Sequence, residues 1–136
     1  MNEIHIEGLT TIASRFGPKE TMDRLEAEIS AKGMAVFARI DHAAGAAQVG
    51  LTLAPTELII FGNARGGTPL MQSEQTVGID LPLKALVWED AAGKTWLSYN
   101  EPGWIAQRHN IANAERVVDS MGTALSAMAR TAADAH

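Results

Sequence analysis

The chain has no cysteine, which removes disulfides, thiol catalysis, thiolate metal ligands and iron–sulfur clusters together. It is also short of basic charge: 11 Lys and Arg stand against 16 Asp and Glu, for a net charge of −5. Gripping nucleic acid or anionic lipid needs a basic footprint that this balance does not supply, so neither partner is expected. Apolar stretches are interrupted within a few residues, far short of the ~20 needed to span a bilayer. Met1-Asn2-Glu3-Ile4-His5 has no basic region followed by an apolar core, so no signal peptide is expected and the expected location is cytoplasmic. Histidines stand only at positions 5, 42, 109 and 136. A metal site would have to combine distant ones with Asp or Glu, and neither metal nor cofactor is expected.

What is present suits one domain over residues 1–136. A chain of this length buries roughly two-thirds of its unfolded surface and needs no staple, and its 46% apolar and 20% charged composition is ordinary globular usage. Leu9 to Ser14 reads as a strand. Gly17-Pro18 then opens a helix with Pro18 at N1, Met22, Leu25 and Ile29 form its apolar stripe, and Lys32-Gly33 closes it. Met34, Val36, Ala38 and Ile40 alternate against Ala35, Phe37 and Arg39 as a half-buried strand. Asp41 can cap a short helix over 43–48. Glu57 to Phe61 reads as a central strand, Gly62 to Gly67 as a loop, and Thr68-Pro69 as the cap and first residue of a short helix. Leu83–Glu89 and Thr95–Asn100, joined by Asp90-Ala91-Ala92-Gly93-Lys94, form a hairpin. Trp104 to His109 is a short bridge. Ile111, Ala114, Val118, Met121, Leu125, Met128 and Ala132 mark a terminal helix lying on its own sheet, with Gly122 expected at a close backbone approach. Strands and helices in this order, with an obligatory hairpin, favour α+β over a doubly wound sheet.

Two constellations could carry chemistry. Asp41-His42 at a strand end offers an acid–base or ligating histidine; the bland alternative is a helix cap followed by a hydrogen-bonded first-turn residue. Gly62-Asn63-Ala64-Arg65-Gly66-Gly67-Thr68-Pro69 offers backbone N–H groups, a helix start and a cation, which together could cradle an anion. It lacks the Gly-Lys-Ser/Thr of a phosphate-binding loop, and the alternative is a loop needing positive φ at its glycines. Asp80, Tyr99, Asn100, Arg108 and His109 remain as a scattered polar set. Trp88, Trp96 and Trp104 read as core or interface.

The ordered pieces Val36 to Ala47, Leu53 to Leu58, Phe61-Gly62-Asn63, Gly67 to Met71, Ile79 to Lys84 and Val87 to Asp90 resemble the domain of unknown function 302 family. Ala64 departs from the proline frequent there after Gly-Asn, which implies a less rigid loop. The resemblance implies an α+β fold like that of the TATA-binding protein, a curved antiparallel sheet with two main helices on one side, and a homodimer. It implies no activity. The candidate site is therefore Asp41, His42, Gly62, Asn63, Arg65, Thr68 and Asp80. The first expectation is a small-ligand domain for an anion or carboxylate, with His42 and Asn63 reaching one crevice. The alternatives are a structural or interaction module without ligand, and a small enzyme using His42 as acid–base.

Overall fold

A computed structural model describes residues 5–135; Met1 to Ile4, used in reading the N-terminus, and His136 lie outside the described residues. Five strands run β1 (Leu9–Ala13), β2 (Ala35–Asp41), β3 (Thr56–Gly62), β4 (Leu83–Glu89) and β5 (Thr95–Asn100). Five α-helices run α1 (Pro18–Ala31), α2 (His42–Gln48), α3 (Ala64–Ser73), α4 (Pro102–Arg108) and α5 (Glu115–Ala133), with a 3-10 turn at Gln75–Ile79. The sheet has the order β1-β5-β4-β3-β2, every neighbouring pair antiparallel. β1 and β2 are its two edges, so α1 carries the chain across the whole sheet. The class is α+β, with α1 and α5 packed together over one face.

Local chemistry explains the boundaries. Pro18 stands at the start of α1, where its missing N–H has no partner to lose. Gly33 takes φ +76° just past its end. Asp90 builds the hairpin turn: its Oδ1 accepts from the amides of Ala92 and Lys94, each at 2.9 Å, and its Oδ2 from Trp96 Nε1 at 2.8 Å. The indole donor, then the amides, holds the Asp90 carboxyl below the usual carboxylate range.

The core lies between sheet and helices. Met22, Leu25 and Ile29 of α1 and Leu125, Met128, Ala129 and Ala132 of α5 close over Ile59, Phe61, Ala85, Val87, Leu97 and Tyr99. The small side chains of α5 let it lie close to its neighbours, as its apolar stripe requires. A second cluster, Leu70, Val77 and Ile105, is packed by Trp104, Ile111, Val117, Val118 and Met121, and it fastens α3, the 3-10 turn and α4 against α5.

Three sequence expectations need correction. α5 begins at Glu115, because Asn110 and Asn113 adopt positive φ and break the periodic stretch before it. Gly122 marks no close approach: a Cβ there would meet nothing within 4 Å. The alternation over Met34–Ile40 is broken by a bulge between Val36 and Ala38, which moves one side chain out of phase. Val36 and Met34 pack against the helix-covered core. Ala38 and Ile40 pair with Ile60 and Leu58 and share their opposite face, while Arg39 lies on the helix side among the carboxylates of Asp23, Glu26 and Glu57.

Candidate functional site

Strand direction decides which candidate residues meet. β2 and β3 are antiparallel, with Asp41 opposite Glu57 at one end and Ala35 opposite Gly62 at the other. His42 follows the first end and Asn63 the second, and seven residues at ~3.3 Å each put them about 20 Å apart along the sheet. The expected common crevice for His42 and Asn63 does not form. Successive strand ends meet in a parallel sheet and part in an antiparallel one.

At the first end, Asp41 is occupied as the cap of α2, its Oδ1 accepting from the Ala44 amide at 2.9 Å. His42 is exposed in the first turn. Asp41 therefore does not orient it.

At the second end, Gly62, Asn63, Arg65 and Thr68 line one cavity of about 800 Å³. The local chemistry differs from the expected loop. Asn63, not Thr68, is the cap: its Oδ1 accepts from the Gly66 amide at 2.9 Å, and α3 runs from Ala64 with Thr68 and Pro69 inside it. Gly66 and Gly67 are helical, and a Cβ on either would make only ordinary contacts, at 3.6 Å or more. Position 64 is thus the first residue of a helix, where proline is well suited. The amides of Ala64 and Arg65, in the first turn, have no intrahelical acceptor and face outward from the helix start.

The rest of the wall comes from α1, the start of β2, the Leu81-Pro82-Leu83 approach to β4, and α5. The Leu81–Pro82 peptide is cis. The charged residues lining the cavity are Lys32, Arg65 and Arg116. All three are exposed, and none makes an ion pair among the described residues. Among the described residues, no acidic side chain lines the cavity. In a chain of net charge −5, that is a local reversal of sign. Apolar side chains form the remaining wall, among them Met34, Met71, Leu81, Leu83, Met121, Leu125 and Met128. Lys32 and Arg116 were not legible as site residues: Lys32 closes α1, where a cation is ordinary, and Arg116 lies in the first turn of α5 with no motif around it. The methionines carried a sequence signal only as apolar periodicity: Met34 in the strand alternation, Met121 and Met128 in the stripe of α5.

Asp80 directly precedes the Leu81-Pro82-Leu83 wall but does not line the cavity. Its carboxylate accepts from Arg108 Nη1 at 2.9 and 3.0 Å and meets His109 Nε2 at 2.5 Å. His109 Nδ1 lies 2.9 Å from Thr76 Oγ1, so the cluster ties the C-terminus of α4 to the 3-10 turn. The structure thus joins Asp80, Arg108 and His109 of the scattered polar set, adds Thr76, and leaves Tyr99 in the core. Among the described residues, no group of three or more His, Asp and Glu side chains is placed to hold a metal ion.

Comparison with known proteins agrees with the fold. The model for a domain of unknown function, DUF302, matches residues 10–128. The chain is 47% identical over 134 residues to the fluoride-specific ion channel FluC 1 of Brucella suis biovar 1 (strain 1330), covering 98% of this chain and 53% of that protein. The fluoride-specific ion channel FluC 1 of Brucella abortus biovar 1 (strain 9-941) matches at the same identity, with 50% of its length covered. The chain therefore spans about half the length of the curated relatives it matches. No described helix is long and apolar enough to cross a membrane. The crystal structure of an uncharacterized conserved DUF302 protein from Bacillus stearothermophilus superposes with a TM-score of 0.84 at 20% identity, over 93% of this chain and 99% of that one.

Proposed function

This chain belongs to the DUF302 family, whose description assigns no activity, and we propose that it is a small-ligand domain holding an anion in the cavity beside α3. One observation carries the reading: among the described residues, every charged side chain lining that cavity is a cation, and none of the three makes an ion pair. Unpaired cations beside apolar surface form a region of positive potential that attracts a carboxylate or similar group, and the free amides at the start of α3 add donors of the same sign. The volume falls within the usual range of small-molecule sites. Native mass spectrometry of freshly purified protein, compared with its denatured mass, tests retention directly. Arg65→Gln and Arg116→Gln are the informative variants, because both side chains are exposed and neither supports the fold through a pair. Both should reduce retention with the thermal midpoint unchanged. Retention untouched in the double variant would refute the site.

Fluoride, named in the curated relatives, offers a second reading for this half of those proteins. A small, strongly hydrated ion needs convergent N–H donors, whereas most of this wall is aliphatic. Displacement of a bound carboxylate by sodium fluoride, but not by sodium chloride at equal ionic strength, would favour that reading.

The opposite sheet face supports a homodimer. Leu58, Ile60, Leu86 and Trp88 alternate with core residues and so point away from α1 and α5. Ile40, at 40% exposure, pairs with Leu58 on that face. Beyond the strands, Val49, Leu51 and Leu53 are exposed at 71%, 66% and 46%. An apolar sheet face left to water is a preferred association surface, and a two-fold partner covers it in both copies. Light scattering at micromolar concentration should give the dimer mass. Leu86→Lys, which keeps the strand but charges the face, should give the monomer.

A further inference from the structure

Resting on the anion site proposed above, we infer that its ligand is a carboxylate with a flexible, unbranched aliphatic chain, an acyl-chain acid rather than an aromatic or nucleotide anion. The wall composition carries this. Four of the chain's six methionines, Met34, Met71, Met121 and Met128, line the cavity. Met34, Met71 and Met121 are half-buried with Met128 fully buried behind them, whereas Lys32, Arg65 and Arg116 are exposed, so polarity falls from a cationic mouth to an apolar floor. Thioether side chains are unbranched and polarizable, and they re-pack around a flexible chain where branched or ring side chains hold one shape.

What the wall lacks narrows the ligand class. The neutral polar side chains lining it are Asn63, Thr68 and Ser120, and the Asn63 oxygen is already committed to the Gly66 amide. That is too few groups to read the edge of a base or the hydroxyls of a sugar. Phe37 is the one aromatic residue in the wall, and it is 59% exposed, so no enclosed stacking plane exists for a planar ring. An inorganic anion would leave most of the 800 Å³ unfilled. A charged head at the cations with an aliphatic tail toward the half-buried Met71 and Met121 satisfies both halves of the wall.

Titration calorimetry with straight-chain carboxylates from butanoate to dodecanoate, below their micelle concentrations, tests this on the unaltered protein. Each added methylene buried in the cavity should tighten binding roughly four-fold, until the cavity is full. Alkylammonium ions of matched length should bind more weakly at every length. Arg116→Gln should weaken the whole carboxylate series by one common factor and leave the increment per methylene intact. Met121→Phe, a substitution at a half-buried position, should spare short chains and reject long ones. Affinity independent of chain length, with acetate and inorganic phosphate binding as well as dodecanoate, would overturn the acyl-chain inference while leaving the anion site standing. Absence of binding by every carboxylate and by phosphate would overturn both. So would alkylammonium ions binding as tightly as carboxylates.

Discussion

Removing the Arg39 guanidinium is the sharpest test of how the edge strand is held. Its Nε and Nη2 fork onto the two oxygens of Glu57 on β3 at 2.8 Å each, and Nη1 reaches Glu26 at 2.8 Å and Asp23 at 3.0 Å on α1. One side chain thus joins β2, β3 and α1. Arg39 and Glu57 keep only 26% and 24% of their side-chain exposure, whereas Glu26 and Asp23 keep 39% and 47%. The two exposed pairs are screened and contribute about 0.3 kcal/mol each. The half-buried fork lies between the surface and buried limits, and losing it costs roughly 2 kcal/mol, part of which is the penalty of leaving Glu57 without its partner. Arg39→Met should therefore destabilise by about 2.5 kcal/mol, a fall of roughly 8 °C in thermal midpoint for a chain of this size. Arg39→Lys should recover less than half, since an ammonium cannot reproduce the fork. The pH dependence has a fixed sign. The hydrogen bond from Lys19, and then that from Arg39, holds the Asp23 carboxyl below its ordinary value. A carboxylate depressed on folding contributes stability above its unfolded pKa and loses it as pH falls through the folded one. The Arg39 guanidinium is correspondingly raised, chiefly by Glu57, and stays charged throughout. The gap between wild type and Arg39→Met should thus be full at pH 7 and lose the Asp23 contribution as pH falls below about 4. Urea unfolding at pH 7 and pH 3, with m unchanged, measures both. A gap under about 0.5 kcal/mol at pH 7, or one that widens at pH 3, would refute the reasoning.

Local rules made most elements legible, and the long-range pairing that places the site was not. Pro18, Gly33, Asp41 and the Asp90 turn act over four or five residues, and each ends or caps its element as its chemistry dictates. Thr68-Pro69 is as good a local helix start as Asn63, yet the helix begins at Ala64, capped by Asn63, and docks Leu70 against Val77 and Ile105. The bulge at Phe37 leaves no mark in an alternating sequence, yet it exchanges the faces of Arg39 and Ile40. The candidate residues do not converge on one crevice. Gly62, Asn63, Arg65 and Thr68 share a cavity because they are neighbours in sequence, while His42 and Asp80 depended on strand direction and loop path. Lys32 and Arg116 gain meaning only when α1 and α5 deliver them to the same opening.

Three further substitutions follow from single observations. Trp96→Phe removes the donor that most lowers the Asp90 carboxyl, so its titration should move toward the ordinary carboxylate range by NMR; an unmoved titration would mean that the turn amides suffice. Gly8→Ala should destabilise by more than about 2 kcal/mol, because Gly8 has φ +78° and a Cβ there would collide with the Trp104 indole; a thermal midpoint within a degree of wild type would refute that contact. Gly122→Ala should stabilise. A Cβ at Gly122 meets nothing within 4 Å, the residue lies well inside α5, and exchanging Gly for Ala in a helix interior gains about 1 kcal/mol without new contacts. The gain should appear in urea unfolding as a raised midpoint with unchanged m, at any protein concentration. Loss of stability instead, or a change in oligomeric mass, would mean that the groove beside Gly122, formed by Pro102, Gly103, Val118 and Ser126, is occupied in solution and that the glycine is there to admit what occupies it.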